Sequence, residues 1–254
     1  TSDHAIDLYI IDVKLRKAVK VNKTALNLVN GNAFDWIDNN TLMYQTIIKP
    51  YTAAPAKPLA PKGPTVQQNL GKVAASVTYQ DLIKSPYDEA LYEFYATSQL
   101  VKNSSGVETK IGTAAIFSGV DISPDKKYLL VERIDKPFSY LVPAGGFNST
   151  ILVTDMNGKL VKEIAKLPSS ELAPSGYDNV LNAPRSHQWL NNQPASITWI
   201  EPLDSGLIKK SVEFHDAAYL LSAPFSGSAK QLVKTAMRIG NINDINDDIW
   251  LVSE

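Results

Sequence analysis

The chain of 254 residues contains no cysteine. That excludes a zinc finger, an iron–sulfur centre, a thiol nucleophile and a disulfide scaffold, whatever the redox state of the compartment. Charge of one sign is also lacking, since 25 Lys and Arg face 26 Asp and Glu and leave a formal charge of -1. Neutralising several phosphates takes a basic excess, so neither nucleic acid nor an anionic membrane surface is an expected partner. No apolar run approaches the ~20 residues of a spanning helix, and Thr1 to Asp7 lack the charged-then-apolar layout of a signal peptide. Because the chain opens on Thr, a mature or excised piece is the expectation. The compartment stays open, with a periplasmic or secreted parent preferred. What the sequence does have is 44% hydrophobic residues, enough for a chain of this size to build a core without metal or disulfide.

The apolar segments are short, rich in Val, Ile, Tyr, Thr and Trp, and bounded by turn residues, and none holds a 3.6-residue period over three turns. An all-β chain is predicted. One kind of segment is a strand, a turn and a second strand: Leu8–Ile11 with Ala18–Val21, Leu91–Ser98 before a turn at Asn103–Gly106, Thr150–Thr154 with Lys159–Ile164, and Ala218–Ser222 with Gln231–Thr235. In the third of these Asn157-Gly158 is a strong hairpin turn, because both central positions of the favoured turn need positive φ. The second kind lies between them. Ala33–Ile37 turns into Leu42–Ile48, Val120–Ile122 turns through Ser123-Pro124-Asp125-Lys126 into Tyr128–Ile134, and His187–Leu190 turns into Ala195–Ile200.

The anchors Trp36, Ile122 and Trp189 are 86 and 67 residues apart, and Asp12, Thr97, Asp155 and Ser222 are 85, 58 and 67 apart. Similar spacing in two independent series marks a repeat of four strands, the pattern of a β-propeller with antiparallel blades. About four blade-equivalents are expected: a partial blade over 1–30, a blade over 31–112 with a Pro-rich insertion at 49–88, blades over 113–168 and 183–236, and a partial blade over 237–254. A β-sandwich is the structural alternative, though it does not predict a two-phase repeat. The terminal pairs read as complementary halves. Leu8–Val21 docking beside Ile249–Leu251 to close a small ring is preferred over an open fragment that pairs with another molecule. Trp36, Ile122, Trp189 and Trp199 are predicted to be core, since they recur at matching places. Within the insertion, Gln80–Lys84 has some helical character.

Catalytic signals are scarce. No Gly-X-Ser-X-Gly elbow is present, and the nearest string, around Ser226, lacks the glycine two residues before the serine. His4, His187 and His215 fall in three different repeats, without the spacing of a metal site. His187 beside Trp189 reads as a strand-start histidine rather than a base. Asp244, Asn246 and Asp248 match the first ligand positions of a calcium loop, but Ile249 stands where that loop needs glycine. No metal, no cofactor and no catalytic residue are therefore expected. Asp35, Asp121, Glu132 and Glu201 are scattered acids, and a propeller glycosidase would need two of them to converge. Arg133 and Arg185 remain as substrate-contact candidates, since a guanidinium facing a central cavity could clamp a carboxylate. A salt bridge between blades, with an acid such as Glu132 or Asp135, is the competing and preferred expectation for each arginine.

Several strings carry a resemblance. Ser123-Pro124-Asp125-Lys126-Lys127-Tyr128-Leu129 resembles the "SPDGKYL" inner hairpin of prolyl oligopeptidase family propellers. Gly63-Pro64-Thr65-Val66-Gln67-Gln68-Asn69-Leu70, Thr78-Tyr79-Gln80-Asp81-Leu82, Tyr95-Ala96-Thr97-Ser98-Gln99-Leu100, Val131-Glu132-Arg133-Ile134, Pro137-Phe138-Ser139-Tyr140-Leu141-Val142-Pro143 and Ala183-Pro184-Arg185-Ser186 resemble the glutamyl endopeptidase branch of that family. The likeness runs from about Phe34 to the C-terminus, with Lys136 preserved only in kind. It implies a serine peptidase in which a propeller caps and gates a C-terminal α/β-hydrolase domain that carries Ser, Asp and His. The implied partners are that hydrolase domain and peptide substrates, and this chain alone would not be an enzyme. A preference for cleavage after Glu implies a cation near the scissile bond, for which Arg133 is a candidate. A stand-alone propeller that binds a protein or small ligand is the alternative.

Overall fold

The structure is a computed structural model that describes residues 5–58, 79–246 and 248–254. In chain order the strands are β1 (Tyr9–Asp12), β2 (Lys17–Lys20), β3 (Phe34–Asp38) and β4 (Thr41–Ile47), followed by the helix α1 (Pro86–Ala96). Then come β5 (Thr97–Ser104), β6 (Val107–Ile122), β7 (Tyr128–Ile134), β8 (Ser149–Asp155) and β9 (Leu160–Leu167). The last group is β10 (Arg185–Trp189), β11 (Ser196–Pro202), β12 (Asp216–Ser222), β13 (Lys230–Thr235), β14 (Asn241–Asp244) and β15 (Trp250–Ser253). Apart from α1 and short 3-10 turns, the regular structure of the described residues is all β. Neighbouring strands β3 through β9 form one curled antiparallel sheet of seven, and β10 through β13 form a sheet of four.

The long strand β6 joins the two halves of the large sheet. Its first part pairs with β5, and its last part, Ile116 to Ile122, pairs with β7. A bulge at Gly112 interrupts the β5-paired part, where Ser98 faces Ala115 but Leu100 faces Ile111. The extra residues fit because Gly112 takes φ 57° and donates its N–H to the carbonyl of Asn157 at 2.9 Å. That seats the β8–β9 turn against the bulge. Gly158, at φ 82°, comes so close that a Cβ there would lie 2.3 Å from the Gly112 nitrogen.

The turn before β7 is built by Ser123, whose Oγ donates to Asp125 Oδ1 at 2.7 Å and accepts from the N–H groups of Lys127 and Tyr128. Lys126 adopts φ 60° there. It occupies the glycine position of the motif the string resembles.

The main core lies between the two larger sheets. Leu130, Ile151 and Val153 of the large sheet meet Trp189, Ile197, Trp199, Leu221 and Phe225. Trp189 and Trp199 are thus buried, as expected, and Ile122 is partly buried against the neighbouring cluster. Trp36 is a correction: it is 48% exposed. It lies on the edge strand β3, where burial falls instead on Ile37, whose side chain points to the opposite face.

The segment 86–96 is a second correction, since part of the expected strand Leu91–Ser98 is helix and the strand starts only at Thr97. Its start has ordinary causes. Ser85 accepts a hydrogen bond from the Asp88 N–H, Pro86 occupies the first turn, and Asp88 and Glu89 lie at the positive end of the helix dipole. Tyr92 then packs edge-on against Phe138 and Phe147, at 5.0 and 5.5 Å between ring centroids. The helical character expected at Gln80–Lys84 is absent, and those residues are irregular.

The two ends are the third correction. β1–β2 and β14–β15 each form a separate two-stranded sheet, so the ring-closing composite of Leu8–Val21 with Ile249–Leu251 does not form. Each pair is instead tied to its nearest sheet. Leu26 bridges to Thr46 and Asn103 donates to the Val21 carbonyl at one end; at the other, Gln188 donates to the Ile242 carbonyl and the Asn192 N–H to Asp244.

Candidate functional site

Alternation along a strand sends every second side chain to the same face. On the face of the large sheet that meets the smaller one, this places Gly119 and Asp121 of β6 beside Leu130 and Glu132 of β7. Asp121 pairs across the ladder with Leu130, and Gly119 with Glu132. The two carboxylates are therefore diagonal neighbours, their Cβ atoms roughly 7 Å apart.

The facing wall comes from β10, which departs from regular geometry. Arg185 pairs with Ile200 but Gln188 with Thr198, so one extra residue is inserted between them. Ser186 absorbs the bulge at φ 56°. As a result Arg185, Ser186 and His187 all border one space, which three consecutive residues of a flat strand cannot do. The cavity between these walls measures about 340 Å³. Asp121 also borders a second cavity of about 150 Å³ that includes Asp35.

His187 stacks on Trp199, their centroids 6.2 Å apart. Its Nε2 is buried and has no hydrogen-bond partner among the described residues. Burial in this apolar wall lowers its pKa to about 4, so the ring is neutral at pH 7. Asp121 is raised above the usual carboxylate range by desolvation and by the negative charge of Asp35. Glu132 accepts a hydrogen bond from Ser149 Oγ at 2.9 Å. Among the described residues, neither Asp121 nor Glu132 forms an ion pair, and no group of His and acids converges as a metal site.

The two sequence candidates part company here. Arg185 borders the cavity, but its guanidinium is held by both oxygens of Asp216. Arg133 follows Glu132 on β7 and points to the opposite face, where its Nε lies 2.7 Å from Asp135 Oδ1 and Asp135 accepts from Thr150. The cavity thus collects Asp121, Glu132 and His187 with Arg185, a grouping that no spacing in the sequence announces.

A charge cluster behind Arg185 also has no sequence signal. Arg238 donates to Asp216 at 3.0 Å and to Asp204 at 2.6 Å, and Asp204 is 2.7 Å from His215 Nδ1. Asp204 and Asp216 are fully buried. Desolvation alone would raise the Asp204 pKa, but the hydrogen bonds from Arg238 and His215 outweigh it and hold the carboxyl below its ordinary value. The cluster fixes Arg185 at the rim and neutralises it, so the free charge in the cavity is negative.

No protein-family model matches the chain. Two curated relatives do. A "Probable glutamyl endopeptidase, chloroplastic" of Oryza sativa subsp. japonica is 34% identical over 253 residues, which is 97% of this chain and 27% of that protein. The protein of the same description from Arabidopsis thaliana is 37% identical over 226 residues, 87% of this chain and 23% of its own length. The strand-built chain is accordingly homologous to one region of a prolyl oligopeptidase family serine peptidase. Within that family the region matched is that of the glutamyl endopeptidases, and the chain spans about a quarter of their length. Among solved structures, a Pyrococcus horikoshii acylaminoacyl peptidase overlays at a TM-score of 0.43 with 11% identity, over 91% of this chain and 28% of that one. An overlay that loose carries no weight of its own.

Proposed function

We propose that this chain is the non-catalytic propeller region of a prolyl-oligopeptidase-like serine peptidase, and that it covers the active site of an α/β-hydrolase domain and filters what reaches it. The observation that carries the proposal is homology to glutamyl endopeptidases over nearly the whole chain and only about a quarter of theirs, combined with a sequence that has no Gly-X-Ser-X-Gly elbow. The role is steric. Strand repeats stacked around an opening admit flexible chains and turn away folded ones, and exclude bulk water from the reaction. Blades at 31–112, 113–168 and 183–236 are part of this reading, with the first boundary falling at the Gly112 bulge within β6. Asp121 and Glu132 in one cavity are the observation on the side of glycoside hydrolysis, and homology to peptidases outweighs it.

The test uses the protein extended to the length of its relatives. A Glu-containing segment is offered as a free peptide and again within an exposed loop of a folded domain. The free peptide should be cleaved with a much higher kcat/KM than the tethered copy. Equal values for the two would remove the filtering role.

A further inference from the structure

We infer that the layer of long connections made by α1 and residues 135–148, 168–184, 203–215 and 236–240 is the surface on which the hydrolase domain of the longer protein docks, with Tyr177 and Leu141 among its anchors. This rests on the peptidase reading and gives it a place of contact. The connections are bonded to one another. From α1, Tyr92 packs on Phe138 and Glu93 pairs with Lys136. Glu171 accepts from Ser139 Oγ, and the Ser169 N–H donates to Asn148 Oδ1 at 2.8 Å. Further along, the Val180 N–H donates to the Gly206 carbonyl, the Ile208 N–H to Asn179 Oδ1 and Arg238 Nε to the Asp178 carbonyl, each at 3.0 Å. The layer is thus built without help from a covering domain.

Even so, it leaves large apolar side chains in water. Tyr177 is 92% exposed, Leu172 58%, and Leu141 and Met237 50% each. The short turns of the two larger sheets make the contrast: residues 39–40, 105–106, 123–127, 156–159, 190–195 and 223–229 expose no large apolar side chain among the described residues. Two of these turns also meet, the Asp125 N–H donating to the Pro194 carbonyl. Val107 and Leu160 are exposed just beyond two of the turns, but singly and on strands, which is ordinary. Apolar residues gathered on one set of long connections, and absent from the turns of the same sheets, mark an interaction face. What covers it follows from length. About three quarters of the glutamyl endopeptidase relatives lies outside this chain, and a domain joined in the same polypeptide needs only a face of mixed polarity. The exposed Lys209, Lys210 and Glu213 between the apolar residues fit such a face.

Because the chain has no cysteine, a single one placed in it reports its own surroundings once the labelled peptide is located by mass spectrometry. Tyr177→Cys and Leu141→Cys probe the layer, and Asn191→Cys and Ser228→Cys probe the short turns; all four positions are exposed. Each is alkylated with N-ethylmaleimide in the chain alone and in the protein extended to the length of its relatives. The two layer cysteines should react about tenfold or more slowly in the extended protein, since alkylation there waits on the domains parting, while the two turn cysteines keep their rates. Leu172→Cys replaces either layer variant should one fail to fold. The extended protein is also treated with a serine-directed fluorophosphonate, which separates the two ways of failing. A labelled serine together with layer cysteines as reactive as in the chain alone, or with slowing confined to the turn cysteines, would overturn the docking surface and leave the peptidase reading standing. An extended protein that takes no label would overturn both.

Discussion

His187 gives the chain a pH-dependent stability that can be isolated by one substitution. In the folded state its pKa is about 4 because burial disfavours the charged ring; in the unfolded chain it should titrate near 6.5. Between these values the unfolded state binds the proton and the folded state does not, so stability rises with pH across the window and is lost as pH falls through it. The full difference of about 2.5 pH units corresponds to roughly 3 kcal/mol, and at pH 5 about 2 kcal/mol should already be lost. Replacing His187 by Phe keeps a ring against Trp199 and removes the titration. Urea unfolding of both proteins from pH 7.5 to 4.5 measures the effect as a difference, in which the carboxylates common to both cancel. The stability of the wild type relative to His187→Phe should be constant above pH 7 and fall steadily below 6.5. A difference that stays flat down to pH 4.5 would refute the buried, neutral imidazole.

Gly158→Ala should destabilise by about 2 to 4 kcal/mol, combining left-handed strain with the clash against Gly112; Gly106→Ala, at φ 88° with open space around it, should cost only the strain, as chemical denaturation of the pair would show. Lys126→Gly should stabilise by about 0.5 to 1 kcal/mol, because it relieves a positive φ at some cost in chain entropy, and a fall in thermal midpoint would contradict the turn geometry. Trp199→Ala should cost about 3 to 5 kcal/mol and Trp36→Ala about 1 kcal/mol or less; similar losses measured by urea unfolding would mean that the two tryptophans share one environment.

Hairpins were legible because turn chemistry and period-two patterning act locally. Gly158 takes positive φ as expected but Asn157 does not, the turn closing from the Gly158 N–H to the Asp155 carbonyl; Ser123 and Asp125 cap the other turn around Lys126 at φ 60°, and β7, β8, β11 and β12 fall where the alternation places them. α1 was not legible through its periodicity, since most of its residues are only partly buried, although Ser85-Pro86 with Asp88 was a start signal in plain sight. Trp36 looked like core by its place in the repeat, but burial depends on what lies across from a face, and β3 is an edge. The cavity was the least legible part. It depends on a one-residue bulge at Ser186 and on Asp216 neutralising Arg185 from 31 positions away, and neither leaves a local pattern.

Active-site labelling addresses the central claim most directly. A serine-directed fluorophosphonate is applied to this chain and, separately, to the protein extended to the length of its glutamyl endopeptidase relatives, and the labelled peptide is located by mass spectrometry. The account predicts a single labelled serine in the extended protein, outside residues 1–254, and no label on the chain alone. A labelled serine within residues 1–254, or an extended protein that takes no label, would contradict it.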